Sequence, residues 1–208
     1  MTPDDVEHGL RVAAKRVLRE RALATRRLMP PEARARRSAR IVEAVLGLPE
    51  WASAATVALY APLPTEPDVT PLIETARAVG KRVALPRVDG EMLRMHEVPR
   101  DPATMTRSAL GVLEPPDHGP AIDVSELDLV VVPALGADPS GGRLGRGRGF
   151  YDRFLRTLVP GRTLRVAVVY EFELVPELPL TEHDVRVDRV VSCRGVLRAF
   201  RDEDAGAA

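Results

Sequence analysis

Residues 130 to 155 read VVVPALGADPSGGRLGRGRGFYDRFL, a stretch whose residue types suit the gripping of an anion. Gly141, Gly142, Gly145, Gly147 and Gly149 are interleaved with Arg143, Arg146 and Arg148. Without Cβ, glycine lets the main chain approach a ligand closely and present its N–H groups. Guanidiniums add planar, permanently charged donors that match phosphoryl oxygens two at a time. The flanks fix the geometry. Leu129 to Val132 is a short apolar run of the kind buried on both faces of a parallel sheet. Phe150, Phe154, Leu155 and Leu158 recur at helical spacing. A strand, a glycine–arginine loop and a helix start with free amides make a phosphate cradle. Asp152 falls in the first turn of that helix, where it can hold a magnesium ion against bound phosphates. Two familiar nucleotide loops do not match. Gly142 and Gly147 have P-loop spacing, but Arg148 replaces the lysine and Gly149 the metal-binding hydroxyl, and the dinucleotide fingerprint fails on spacing. The bland alternative is a solvated basic loop, with RNA as its occasional partner.

Composition narrows what else can do chemistry. The chain of 208 residues has neither Asn nor Gln, so polar recognition falls to carboxylates, arginines, hydroxyls, histidines and backbone. Thirty basic and thirty acidic side chains cancel, so no global field recruits nucleic acid or an anionic membrane. The single Cys193 rules out an intrachain disulfide and suits a reducing compartment. No apolar run approaches the ~20 residues of a membrane span, and the N-terminus has no signal-like apolar core. These features predict a cytoplasmic protein of one domain over residues 1–208 with a frayed tail at 201–208; the expected assembly is a monomer or weak homodimer, which no sequence feature decides.

The elements that must position the loop follow from periodicity and punctuation. Residues 4–28 read as an amphipathic helix with Leu10, Val17, Leu18 and Leu28 as its apolar positions; Lys15 and Arg19, four apart, share one face. Pro30 and Pro31 end it, and a second helix follows over 32–46. Residues 56–61 are a strand, after which Pro62, Pro64 and Pro67 stiffen a loop that presents Glu66. Asp68 caps a helix to Val79 that Gly80 closes, and a strand over 82–86 completes a βαβ unit with parallel pairing. Asp89-Gly90 signals a hairpin into an antiparallel strand over 92–98. Residues 99–126 are irregular, with 110–115 as an extended edge, and a connection of that length tends to line a site. His96 and His118 lack partners at metal-ligand spacing and read as surface or edge residues. Further strands cover 164–170 and 188–192, with a loop over 171–180 between them. His183-Asp184 has no nucleophilic serine or cysteine in a suggestive context. The fold class is α/β: helices on both faces of a mainly parallel mixed sheet, with ligands at the strands' C-terminal ends.

Taken together, Lys15-x-x-x-Arg19, Glu66-Pro67, Gly-Val-Leu-Glu-Pro at 111–115, VVPALGADPSGGRLGRGRGFYDR at 131–153 and HDVRVDRVV at 183–191 resemble the 5-formyltetrahydrofolate cyclo-ligases, also called 5,10-methenyltetrahydrofolate synthetases. The resemblance implies a three-layer α/β/α fold like that of sugar-phosphate isomerases and CoA transferases. It implies an ATP- and magnesium-dependent closure of 5-formyltetrahydrofolate to the 5,10-methenyl form. It assigns ATP contacts to Lys15, Arg16 and Arg19 and to Arg143, Leu144, Gly145, Arg146, Gly147, Arg148, Gly149, Phe150 and Tyr151. Folate contacts fall on Ala61, Glu66 and Arg146 to Phe150, and magnesium on Asp152 and Asp184. Arg143, Arg146, Arg148 and Lys15 would then stabilise the transferring phosphoryl. The chain departs from the family pattern at Phe150, where a tyrosine is common, at Leu110, where an aromatic often precedes the glycine, and at Arg148. Two rivals share these residues: a non-catalytic phosphate- or RNA-binding α/β protein, and an ATP-dependent ligase for a related substrate.

Overall fold

In the computed structural model, which describes residues 2–108, 111–159 and 161–198, the apolar runs form strands and the charged periodic segments form helices. In order these are α1 (Pro3–Leu28), α2 (Pro31–Leu46), α3 (Pro49–Ser53), β1 (Thr56–Ala58), α4 (Thr70–Ala78), β2 (Arg82–Asp89) and β3 (Met92–Glu97). Then come β4 (Thr106–Arg107), β5 (Leu113–Glu114), β6 (Leu129–Pro133), β7 (Gly136–Ala137), β8 (Arg143–Leu144), α5 (Phe150–Thr157), β9 (Leu164–Val168), β10 (Arg189–Ser192) and β11 (Gly195–Arg198).

Seven strands make the main sheet in the order β11-β10-β9-β6-β1-β2-β3. The five inner strands run parallel, while the edge strands β11 and β3 are antiparallel to their neighbours. Side chains alternate between faces, as strand geometry requires. Val57, Val83, Leu129, Val131, Val166 and Val168 share a core with Ile41, Val45, Trp51 and Leu72 of α2, α3 and α4. Ala58, Ala84, Val130, Val132 and Ala167 pack on the opposite face against Phe154, Leu155 and Leu158, in and just after α5. At ~1.5–3 kcal/mol per buried branched side chain, these two faces supply the main attraction holding three α/β/α layers together.

Chain order creates a crevice. From β1 the chain moves outward to β2 and β3 on one side, whereas β6, β9 and β10 build out on the other. The pair β1 and β6 is therefore the topological switch point, and the loops leaving their C-terminal ends diverge there. Those loops are the proline segment with Glu66 and the glycine–arginine segment.

Several boundaries differ from the sequence expectation. The strand from Thr56 pairs only as far as Ala58, and the one from Leu164 as far as Val168. Residues 113–114 pair with 106–107 in a separate ribbon, and Leu110 lies outside the described residues, as do 201–208. The helix expected to be capped by Asp68 begins at Thr70; the Asp68 carboxylate accepts from the Thr70 amide at 2.9 Å. Sequence reading missed α3, the β7–β8 pair and β11, all five residues or shorter and therefore weak in periodicity.

The largest correction concerns α1. It is a helix, with a Thr2–Asp5 capping box at its start and arginines in its last turn. Its expected apolar face is not buried: Leu10, Val17 and Leu28 are exposed, Leu28 at 83%. The buried stripe is Lys15, Ala22 and Arg26. This helix lies over polar loop ends, not over the sheet, so cations with partners on those loops face inward.

Candidate active site

The glycine–arginine loop is shaped from beneath by Asp138, a residue whose role the sequence did not suggest beyond a turn-like Asp-Pro-Ser-Gly run. Its Oδ1 accepts from the amides of Ser140 and Gly142, both at 2.9 Å, and its Oδ2 from the Leu178 amide at 2.9 Å. Burial alone would raise the Asp138 pKa; the hydrogen bonds outweigh it and hold the carboxyl below its usual range. A Cβ on Gly142 would stand 2.4 Å from Asp138 Oδ2, so only glycine fits. The chain then pairs β7 with β8, which carries Arg143 and the buried Leu144. From there it runs free. Among the described residues, the amides of Arg146 to Gly149 donate to no protein group, and Gly147 has φ +97° and Gly149 φ +70°. Successive free amides in such a turn form a nest for an anion.

Cations from two directions meet this nest. Arg19 of α1 donates through Nε to the Gly145 carbonyl at 2.9 Å, and its guanidinium lies against Gly147. Lys15, four residues earlier, donates to Asp184 Oδ2 and at 3.5 Å to the Thr181 hydroxyl. Arg143, 2% exposed, donates through Nη2 to Asp152 Oδ1 at 2.6 Å, while its buried Nε has no partner among the described residues. Burial pulls the Arg143 pKa down and Asp152 opposes that shift; a guanidinium stays charged regardless. Arg146 reaches across the crevice and donates at 3.0 Å to Glu66 Oε1. The cations outnumber the carboxylates here, and a run of free amides on a loop that also carries an unpartnered guanidinium nitrogen suits phosphoryl oxygen.

Glu66 is 5% exposed, not a surface carboxylate. Its Oε2 accepts from the Leu63 amide at 3.0 Å, and the Tyr60 hydroxyl pins the loop by donating to the Pro67 carbonyl at 2.7 Å. Ala61, half-buried, lies in the same connection. Tyr151 packs against both cores, and burial, reinforced by Glu66, pushes its phenol well up, so it acts only as a neutral donor or wall. Phe150 is half-buried with the Arg153 guanidinium 5.3 Å from its ring centre. Two expected residues are not drawn into the cluster. Arg16 is exposed, one residue round the helix from Lys15, and the Arg148 side chain is exposed, only its carbonyl being held, by Arg153 at 3.1 Å.

Asp152 and Asp184 meet through adjacent backbone: Asp152 Oδ1 also accepts from the Val185 amide at 3.2 Å. Asp184 Oδ2 takes the Lys15 ammonium, the Thr181 amide at 2.6 Å and the Thr181 hydroxyl at 3.0 Å. Burial would raise the Asp184 pKa, but Lys15 and Thr181 prevail and lower it. No three His, Cys, Asp or Glu side chains converge into a preformed metal cage among the described residues. Two carboxylates nonetheless suit magnesium, which keeps several waters and takes one or two protein carboxylates with substrate phosphates. Asp152 Oδ2 and Asp184 Oδ1 carry no hydrogen bond among the described residues and remain open to such an ion. His96 is on the edge strand as expected but is buried, with Nδ1 3.0 Å from the Gly119 carbonyl; His118 is exposed beside Asp117. His183 is exposed and 3.6 Å from Glu182, so it forms no acid–base pair with Asp184.

A three-layer α/β protein with a basic, amide-rich loop facing a buried carboxylate across its switch point has donors suited to phosphoryl oxygens on one side of that crevice and a polar acceptor on the other. The chain belongs to the 5-formyltetrahydrofolate cyclo-ligase family, whose model matches residues 11–193. It is similar to the 5-formyltetrahydrofolate cyclo-ligase of Mycolicibacterium smegmatis, 38% identical over 72% of this chain and 79% of that protein. The Escherichia coli K12 enzyme of the same name is 33% identical over 80% of this chain and 93% of its own. Among solved structures, the Aquifex aeolicus 5,10-methenyltetrahydrofolate synthetase is 33% identical, covers 90% of this chain and 93% of its own, and superposes with a TM-score of 0.79. No described helix is long and apolar enough to cross a membrane.

Proposed function

We propose that this chain converts 5-formyltetrahydrofolate to 5,10-methenyltetrahydrofolate, using ATP and magnesium and releasing ADP and phosphate, as a cytoplasmic enzyme. A formamide oxygen is a poor leaving group. The formyl oxygen therefore attacks the γ-phosphorus of ATP, ADP departs, and the formyl carbon, its oxygen now phosphorylated, becomes electrophilic. The N10 amine then closes the ring on that carbon, phosphate leaves, and N10 gives up its proton.

Phosphoryl transfer asks for positioning and charge stabilisation, with little side-chain nucleophilicity. The site supplies that balance. Arg143, Arg146 and Lys15, with the free amides of 146–149, surround the phosphates, and Arg148 swings in from solvent. The one thiol is no rival nucleophile: burial and the Glu171 carboxylate push the Cys193 pKa up. Asp152 and Asp184 would hold the magnesium ion, which when bound offsets charge on the phosphoryl oxygens. Glu66 orients the pterin, whose amino and ring N–H groups need an acceptor in a chain without side-chain amides.

The observation that supports the reading is the Arg146–Glu66 contact, which brings the basic loop against a buried carboxylate. The test is ATP turnover with and without 5-formyltetrahydrofolate while following the methenyl chromophore. Folate-dependent turnover with stoichiometric chromophore is expected; turnover indifferent to folate would favour the rival ligase or binding readings.

A further inference from the structure

Arg26 takes no part in the chemistry above, yet it is the largest fully buried side chain, at 0% exposure. Its guanidinium forks onto Glu173, Nε to Oε1 at 2.6 Å and Nη2 to Oε2 at 2.9 Å. Nη2 also donates to the Ala134 carbonyl at 2.5 Å, and the guanidinium carbon lies 5.4 Å from the centre of the Tyr170 ring. Glu173 Oε2 in turn accepts from the Tyr170 amide at 2.9 Å.

The partners' positions matter more than their number. Ala134 opens the connection from β6 to the glycine–arginine loop, and Tyr170 and Glu173 open the connection from β9 to Asp184. One side chain of α1 thus ties together the roots of both segments that make the anion site. On a helix of 3.6 residues per turn, Arg26 falls within about 20° of the Lys15 and Arg19 directions, roughly 16 and 10 Å along the axis. Little else fixes this helix in register. Ala22 is its one fully buried apolar side chain, with Leu18 and Leu23 half-buried and Met29 in the core at its C-cap; its other anchoring contacts are polar, Lys15 to Asp184, Arg19 to the Gly145 carbonyl and, from an exposed position, Arg11 to the Leu180 carbonyl. Lys15 and Arg19 face the glycine–arginine loop and can exchange partners with phosphate. Arg26 cannot, because it is sealed.

We propose that Arg26 and Glu173 are positioning residues for the nucleotide: their fork sets the axial register of α1, so that Lys15 and Arg19 meet the triphosphate held by the 143–149 loop. This rests on the reading of Lys15 and Arg19 as nucleotide contacts. Stability alone is a poor reason for such a pair, since apolar replacements of buried ion pairs are often neutral or stabilising.

That contrast supplies the test. Wild type, Arg26→Lys and the double variant Arg26→Met/Glu173→Leu are titrated separately with magnesium and a non-hydrolysable ATP analogue, and with 5-formyltetrahydrofolate, and melted in parallel. The double variant strands no buried charge, although it leaves the Tyr170 amide and the Ala134 carbonyl without those partners. With the cost of those two groups offset in part by the apolar replacement, its Tm should fall by only a few degrees while nucleotide affinity falls about tenfold, the worth of one weakened charged hydrogen bond, and folate affinity holds. Arg26→Lys keeps the charge but not the fork plus carbonyl contact, so it should shift the same way, and it decides the matter if the double variant does not fold. Unchanged nucleotide affinity, or equal losses for nucleotide and folate, would overturn the positioning role alone. A wild-type protein that binds no nucleotide would instead remove the proposed function.

Discussion

At the scale of single residues, the site depends on carboxylates and glycines held in fixed company. Glu66 is buried, but its partner Arg146 keeps 41% of its side chain exposed, so deleting Glu66 returns Arg146 to water and does not strand it. Glu66→Ala should therefore fold, and should raise the apparent folate constant by roughly ten- to a hundredfold, the worth of a lost charged hydrogen bond, with a few-fold effect on the ATP constant. Equal effects in steady-state kinetics would reject its pterin role. Gly147, with φ +97° and the Arg19 guanidinium 3.4 Å from any Cβ, predicts that Gly147→Ala loses about 1–2 kcal/mol in urea unfolding and weakens nucleotide binding more than folate binding. Asp184 makes a pH prediction. Its folded pKa lies below the unfolded 3.8, so beneath that value the unfolded chain binds the extra proton. The stabilisation is complete above about pH 5 and is lost as pH falls through the depressed folded value. Asp184→Asn should flatten the Tm-against-pH curve in that acid window and leave its neutral limb parallel to wild type. Such particulars divide cleanly by legibility: Gly142 and Gly147 are visible as glycines in a run, but that Asp138 shapes the loop from forty residues before Leu178 is a fact of folding, carried by no local pattern.

At the scale of elements, strands and crossover helices are readable because each has one environment. Leu129 to Val132 is buried on both faces and is apolar throughout; α2 buries Ile41, Val42 and Val45 at helical spacing. Helix α1 misleads for a physical reason. Apolar periodicity marks a helix that packs on an apolar surface, whereas α1 packs on loop carbonyls and carboxylates, so its buried stripe is largely cationic while Val6, Leu10, Val12, Val17 and Leu28 face out. A pattern of Lys15, Arg19 and Arg26 at spacings of four and seven was in the sequence, but without knowledge of Asp184, Gly145 and Glu173 as partners it reads as a solvated face. The contrast is testable on the helix. Val17→Glu, on the exposed side, should leave both Tm and nucleotide affinity near wild type. Ala22→Glu, between Arg19 and Arg26 on the buried stripe, should cost several degrees in Tm and most of the nucleotide affinity, because a carboxylate would be driven into the contact that docks the helix. Equal effects of the two substitutions would show that α1 does not dock through that stripe.

At the scale of the whole molecule, topology does what no single motif can. Residues 66 and 146 are eighty apart in the chain, and the reversal of strand order between β1 and β6 brings their loops to one crevice. Balanced net charge leaves the basic field local to that crevice. The claim on which the rest depends is that the cradle delivers a phosphoryl group to the formyl oxygen and not to water. Substrate labelled with ¹⁸O at the formyl group, turned over with unlabelled ATP in unlabelled water, tests it directly by mass analysis of the products. The account predicts one ¹⁸O in each inorganic phosphate released alongside the methenyl product; unlabelled phosphate formed in step with that product would contradict it.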